Sequence, residues 1–153
     1  MDPEAAELAL WFHDAVYWPW LACNEERSAD WAARFMGSMK LDAARSDQVR
    51  QHILDTRHQA RLQTGDAQWI VDIDLAILGQ PDAVYRQFER NVRSEYRWVR
   101  WPQYVKGRTA VLQSFLDRPR IYSTAWFFER YELAARNNLS NAVNSLAAGR
   151  LYT

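Results

Sequence analysis

The chain has 153 residues, with 19 Lys and Arg against 19 Asp and Glu and 48% apolar residues, which suffices for one domain to bury a core. The balanced charge removes any electrostatic case for nucleic acid or an anionic membrane surface as a partner, and no run approaches the roughly 18 uninterrupted apolar residues of a membrane span. The single cysteine, Cys23, forms no internal disulfide, and the start lacks a signal-peptide pattern, so a cytoplasmic protein is expected.

Glycine and proline are sparse, and apolar residues recur at intervals of three and four. That spacing predicts an all-α chain, a single-domain bundle of about six helices over residues 1–153. Asp2-Pro3-Glu4 opens the first helix, with Asp as cap, Pro in the first turn and an acid near the positive dipole end. The helix is expected to run to about Tyr17, before Trp18-Pro19-Trp20. A second helix is expected from Glu25 to about Met39, capped by Asn24, with Ala29, Ala32, Ala33 and Met36 inward. The third runs from about Ser46 to Arg61, with Val49, Ile53, Thr56 and Ala60 on one stripe.

After Thr64-Gly65, Asp66 caps a fourth helix that ends at Gly79. Pro81-Asp82 opens the fifth, through about Trp98. Its stripe of Arg86, Arg90, Arg93, Arg97 and Arg100 has the chemistry to hold phosphates, but reads first as a solvated face laced with Glu89 and Glu95. Trp101-Pro102 turns the chain into a helix over Tyr104 to Leu116, which Arg118-Pro119 ends. The last helix, from Thr124 or Ala125 to Ala147, is expected to pack Trp126, Phe127, Tyr131, Leu133, Leu139 and Val143.

The chemistry concentrates in the first helix. His13-Asp14 follows Trp11-Phe12 and precedes Ala15-Val16-Tyr17, so an imidazole and a carboxylate enter an apolar stretch where each needs a partner to offset desolvation. Helical spacing sets Leu10, His13, Asp14 and Tyr17 along one stripe. Imidazole nitrogen with carboxylate oxygen suits a hard or borderline divalent cation. The structural alternative is a histidine bonded to a backbone carbonyl and an aspartate in a salt bridge. Asp72 and Asp74 lie among Ile70, Val71, Ile73, Leu75, Ile77 and Leu78, where a buried, unpaired carboxylate costs several kcal/mol. Two apart on a helix they diverge by about 200°, so only one can face His13 and Asp14. A salt bridge to an arginine is the alternative use of either.

Several blocks in order carry a resemblance: ALWFHDAVY, NEERSA at 24–29, ILDTRH at 53–58, DIDLAILG at 72–79, RSEY at 93–96 and GRTAVLQSFLDRPRIYST at 107–124. Together they resemble a small bacterial branch of the HD-domain metal-dependent phosphohydrolases, over nearly the whole chain. The resemblance implies an HD-like helical bundle whose metal ligands include His13, Asp14 and Asp74, with Asp72 as the fallback. Glu25 or Glu26 would hold water or a substrate phosphate, Glu25 slightly favoured. His58 would be a proton donor, phosphate contact or second-metal ligand. The structural alternatives are first-turn acids for the two glutamates and a helix-end cation for His58. The implied cofactor is a divalent ion (Mn, Mg, Fe, Co or Zn), weakly held or lost if the site is incomplete. The implied substrate is a phosphorylated small molecule or nucleotide, hydrolysed by a metal-activated water. A homo-oligomer is compatible with the exposed aromatic candidates Trp18 and Trp20.

The chain departs from the pattern in two places. The HD signature begins with a histidine on a helix upstream of the His-Asp pair, and the twelve residues before His13 contain none. The expectation is a chain shortened at its start. Trp18 and Cys23 also stand where relatives tend to carry aspartates. A second reading follows from these losses: a non-catalytic HD-like module, or a helical ligand-binding or oligomerisation domain with an incomplete metal site.

Overall fold

The computed structural model describes residues 2–18, 21–57 and 65–153. Among these there is no strand, and seven α-helices and one 3₁₀ segment account for the regular structure: α1 (Pro3–Phe12), α2 (Asn24–Ser38), α3 (Ala43–Asp55), α4 (Asp66–Asp74), the 3₁₀ segment (Leu75–Gly79), α5 (Asp82–Glu95), α6 (Trp101–Leu116) and α7 (Ala125–Ala147). The all-α expectation holds. The elements group into two compact units, Met1–Asp74 and Leu75–Thr153, and each is described by itself. No helix among the described residues is long and apolar enough to cross a membrane.

The first unit packs on small side chains. Ala5 and Ala9 of α1, Ala29, Ala32 and Met36 of α2, and Val49 and Ile53 of α3 are fully buried in one cluster. Alanines at the crossing let the helix backbones approach closely, and the larger Met36 and Ile53 fill what remains. Phe12 packs over this cluster, its ring centroid 5.4 Å from those of Trp31 and Phe35.

Helix ends differ from expectation for local reasons. Asp2 caps α1 as expected, its carboxylate accepting from the Glu4 and Ala5 amides, but α1 stops at Phe12 instead of Tyr17. The residues that follow are pulled away by bonds to α2. Ser28 Oγ accepts from Val16 N at 3.0 Å and donates to Val16 O at 3.2 Å. Asn24 is not the expected cap. It is the first residue of α2, buried, and its amide accepts from Trp18 N and donates to Trp18 O and Leu21 O at 3.0–3.1 Å. Helix α3 begins three residues earlier than expected because Asp42 accepts from Arg45 N and caps it. The fourth helix tightens into 3₁₀ geometry at Leu75 rather than continuing as α-helix to Gly79.

The second unit is built around buried polar anchors. Glu132 of α7 accepts from the amides of Ile121 and Tyr122 and from Arg136 Nε at 2.7 Å, while the same guanidinium donates to the carbonyls of Leu116, Arg118 and Pro119. This fixes the irregular stretch between α6 and α7. Asn138 donates to Leu78 O and Gln80 O, and Tyr122 Oη to Leu75 O, which ties the 3₁₀ segment down. Gly79 lies so close to α7 that a Cβ there would stand 2.6 Å from Tyr131 Cβ.

Two expectations for this unit fail. Trp101-Pro102 does not precede a helix but opens α6, with Pro in the first turn, where its missing N–H costs nothing. The inner face of α7 is Phe127, Ala135, Leu139, Ala142 and Leu146, whereas Leu133 is 76% exposed and Trp126 42% exposed. The choice of Leu133 as a core residue followed hydrophobicity, and the helix instead turns the polar anchors Glu132 and Asn138 inward.

Candidate functional site

His13 is the C-cap residue of α1. The last carbonyls of a helix lack intrahelical donors, and His13 Nδ1 meets one of them, Leu10 O, at 2.8 Å. Because a carbonyl only accepts, Nδ1 carries a hydrogen, and the ring's remaining valency is at Nε2. That nitrogen stands 3.1 Å from Asp74 Oδ1 and 3.4 Å from Asp14 Oδ2. Asp74 is the last residue of α4, so its carboxylate sits at the negative end of a helix dipole, where a cation is favoured.

The electrostatics follow from that placement. A lone pair on Nε2 facing two carboxylates is repulsive, so the position demands a proton or another cation. The hydrogen bond to Asp74, opposed by burial and aided by the charges of Asp74 and Asp14 and by the Leu10 carbonyl, pushes His13 up from 6.5 to about 9. The imidazolium is therefore the form at neutral pH.

The structure thus brings together three of the sequence-predicted residues, His13, Asp14 and Asp74, and it is Asp74 rather than the fallback Asp72 whose carboxylate lies against His13. Asp72 is fully buried in α4, on the opposite side of the helix turn from Asp74. The environment is less apolar than predicted. His13 and Asp74 side chains are 20% exposed, and that of Asp14 is 62% exposed, since it lies beyond the end of α1 rather than inside a continuing helix. Asp14 is the outer wall of the site.

Glu25 and Glu26 lie in the first turn of α2. Glu26 pairs with Arg57, and its own backbone amide and that guanidinium hold it below the usual carboxylate range. His58 lies outside the described residues. Of the expected arginine stripe, the three members that lie within α5 are engaged locally. Arg86 pairs with Asp82, Arg90 bonds to Gln87, and Arg93 donates to Tyr96 O and Val99 O while lying over the Tyr104 ring.

Sequence reasoning missed the residues that hold the site's entrance loop. Within NEERSA it is Asn24 and Ser28, not the glutamates, that fasten the segment after Asp14 to α2. Their spacing of four, which puts two short polar side chains on the same helix face as Ala32, was the available signal.

In donor type the trio suits a hard or borderline divalent ion, and the Nδ1–H bond to a backbone carbonyl is the support that a ligating Nε2 requires. Pairwise separations of 3.1 and 3.4 Å match those of two donors each about 2.1 Å from one ion. As placed, though, the groups face each other as hydrogen-bonding partners, and among the described residues no three His, Cys, Asp or Glu side chains converge on a point that would hold an ion. An ion would have to displace the His13 proton and draw both carboxylates inward. Comparison with protein-family models, curated proteins and solved structures finds no match.

Proposed function

We propose that the chain is a metal-dependent phosphohydrolase of the HD type, acting on a phosphomonoester or phosphodiester of a small molecule or nucleotide. His13, Asp14 and Asp74 would hold the divalent ion. The observation that supports this reading is the placement of one tautomer-fixed imidazole nitrogen between carboxylates from two segments far apart in sequence, at a position that demands a cation. When bound, a divalent ion lowers the pKa of a water and polarises a phosphoryl oxygen.

The remaining roles belong to the chain's own side chains. Leu10 O holds the His13 ring in the tautomer that leaves Nε2 for a cation. Asn24 and Ser28 hold the loop that carries Asp14. Glu25 is the favoured residue to accept or pass a proton, because Glu26 must first leave Arg57. His58 keeps its proposed part as proton donor, phosphate contact or second-metal ligand.

The test is to equilibrate the protein with Mn²⁺, Mg²⁺, Fe²⁺, Co²⁺ or Zn²⁺ at pH 8, measure bound metal by mass spectrometry, and assay p-nitrophenyl phosphate and bis(p-nitrophenyl) phosphate. One equivalent of ion and metal-dependent turnover are expected, with His13→Ala and Asp74→Asn each lowering metal affinity or turnover by roughly 10- to 100-fold or more. Neither ion nor turnover overturns the reading. In that case the non-catalytic module stands, which the His13 imidazolium favours, because its positive charge already offsets part of the carboxylates' charge. Asp74→Asn would then change stability alone.

A further inference from the structure

The zero net charge of the chain is the sum of two opposed halves. Residues 1–74 hold seven Lys and Arg against thirteen Asp and Glu, whereas the second unit, residues 75–153, holds twelve against six. Two of those six acids, Glu89 and Glu132, are buried and paired with Arg108 and Arg136. Each pair cancels, so the excess of positive charge rests with the other residues. The neutral total that removes the electrostatic case for a polyanionic partner of the whole chain does not describe this unit.

The excess is densest where α5 turns into α6. From Arg90 to Lys106 five bases stand against one acid, Glu95. Arg93 holds the corner from within: it donates to Tyr96 O at 2.6 Å and Val99 O at 3.3 Å, and its guanidinium lies over the Tyr104 and Trp101 rings at 4.6 and 5.7 Å. A turn closed by Val99 N donating to Tyr96 O at 2.9 Å then presents Arg97, Trp98 and Arg100, all exposed. Trp98 is 59% exposed and stacks with Tyr96, the centroids 6.4 Å apart and the planes 24° from parallel. Arg97 and Arg100 are the two members of the arginine stripe that lie beyond α5, and neither side chain has a hydrogen bond or ion pair among the described residues.

An open indole between two uncommitted guanidiniums discriminates among polyanions. Guanidinium takes phosphate oxygens and a flat ring takes the face of an unpaired base, so the pair matches a strand in which the two alternate. A duplex hides its base faces and meets the arginines alone. An anionic bilayer needs a broad apolar face, and one ring buries little area there. An acidic peptide supplies charge with no flat partner for the indole. We propose that the α5–α6 corner of the second unit binds single-stranded nucleic acid, with a base stacked on Trp98 and neighbouring phosphates on Arg97 and Arg100. The proposal stands apart from the hydrolase reading, none of whose site residues lies beyond Asp74.

The full chain is titrated at 50 mM NaCl into fluorescein-labelled oligothymidylate, oligouridylate and a duplex of equal length, and anisotropy is followed. Saturable binding of either single strand is expected, tighter than that of the duplex and weakened roughly tenfold or more by 200 mM NaCl. Trp98→Ala is expected to raise Kd roughly 5- to 100-fold. Arg97→Gln together with Arg100→Gln is expected to lower the slope of log affinity on log salt by about 1.4. The comparison of single strand with duplex uses the unaltered chain, so it decides even if a variant fails to fold. No binding of either strand, a duplex bound as tightly, or a folded Trp98→Ala variant that binds as well as the original would each overturn the proposal. So would poly-L-glutamate or phosphatidylserine vesicles that displace the labelled strand as efficiently as unlabelled strand does.

Discussion

His13 Nε2 and Asp74 Oδ1, sixty-one positions apart in the chain, lie 3.1 Å from each other. The pair joins the C-terminal ends of two helices, and at such ends a positive charge is favoured by the unpaired carbonyls. Its pH behaviour follows. The folded-state pKa of His13, about 9, is above the ordinary 6.5, so folding takes up a proton between those values. The contribution is fully present below pH 6.5 and is lost as pH rises through 9. It is on the order of 3 kcal/mol at most. Urea denaturation between pH 6 and 10 should show stability falling over this window, and His13→Gln should flatten the fall.

Asp74→Asn removes the largest contribution to that raised pKa, and Asp14→Asn only a through-space charge on a side chain 62% exposed. NMR titration of the His13 ring should therefore show a large drop toward 6.5 in the first variant and a small one in the second. Equal drops would mean that Asp14 shares the proton as fully as Asp74 does.

If the trio takes up a divalent ion, the ion competes with the His13 proton. Apparent affinity should rise roughly tenfold per pH unit between pH 7 and 9 and level off above. Isothermal titration in buffers of different ionisation enthalpy should report about one proton released per ion.

Asn24 makes three hydrogen bonds to the loop after Asp14 while buried. Asn24→Ala leaves those backbone groups short of partners and should cost about 2 kcal/mol or more. Glu25→Gln, on the same turn, should stay within about 0.5 kcal/mol. Denaturant midpoints of the two variants separate these outcomes.

In the second unit, Glu89 is buried to 1% exposure, clasped by Arg108 at 2.6 and 3.2 Å and by Tyr85 Oη at 2.7 Å. Arg108→Met strands the carboxylate and should cost about 3–5 kcal/mol. Replacing Glu89 and Arg108 together by Leu and Met should recover much of that loss in thermal unfolding.

The periodic parts of the chain were legible because burial follows the three-four repeat. Ala29, Ala32, Met36, Val49 and Ile53 are all fully buried where the spacing put them. That His13, Asp14 and one of the two acids of the fourth helix come together was legible too, because only one of two acids two apart on a helix can face a given point. What escaped is set by long-range polar bonds that leave no period. Glu89 reads as one more acid on a charged face, and only the fold supplies Arg108 and Tyr85 around it. The end of α1 was overrun because Ala15 and Val16 suit a helix, while Ser28, twelve residues on, takes hold of Val16 from outside. Arg136, about three helical turns from either end of α7, bonds to the carbonyls of Leu116, Arg118 and Pro119, and no spacing in the sequence relates it to them.

The Arg136 clamp has a practical outcome for handling the protein. The stretch it fastens contains Arg118 and Arg120, bonds that trypsin would ordinarily seek, although Pro119 shields the first. A protease must bind several consecutive residues in extended form, and here the carbonyls of Arg118 and Pro119 are already engaged by the guanidinium. Cleavage after Arg120 in a brief digest should therefore be slow in the native chain and fast once Arg136 is replaced by Ala, so peptide mapping can report whether this corner is closed without unfolding the rest.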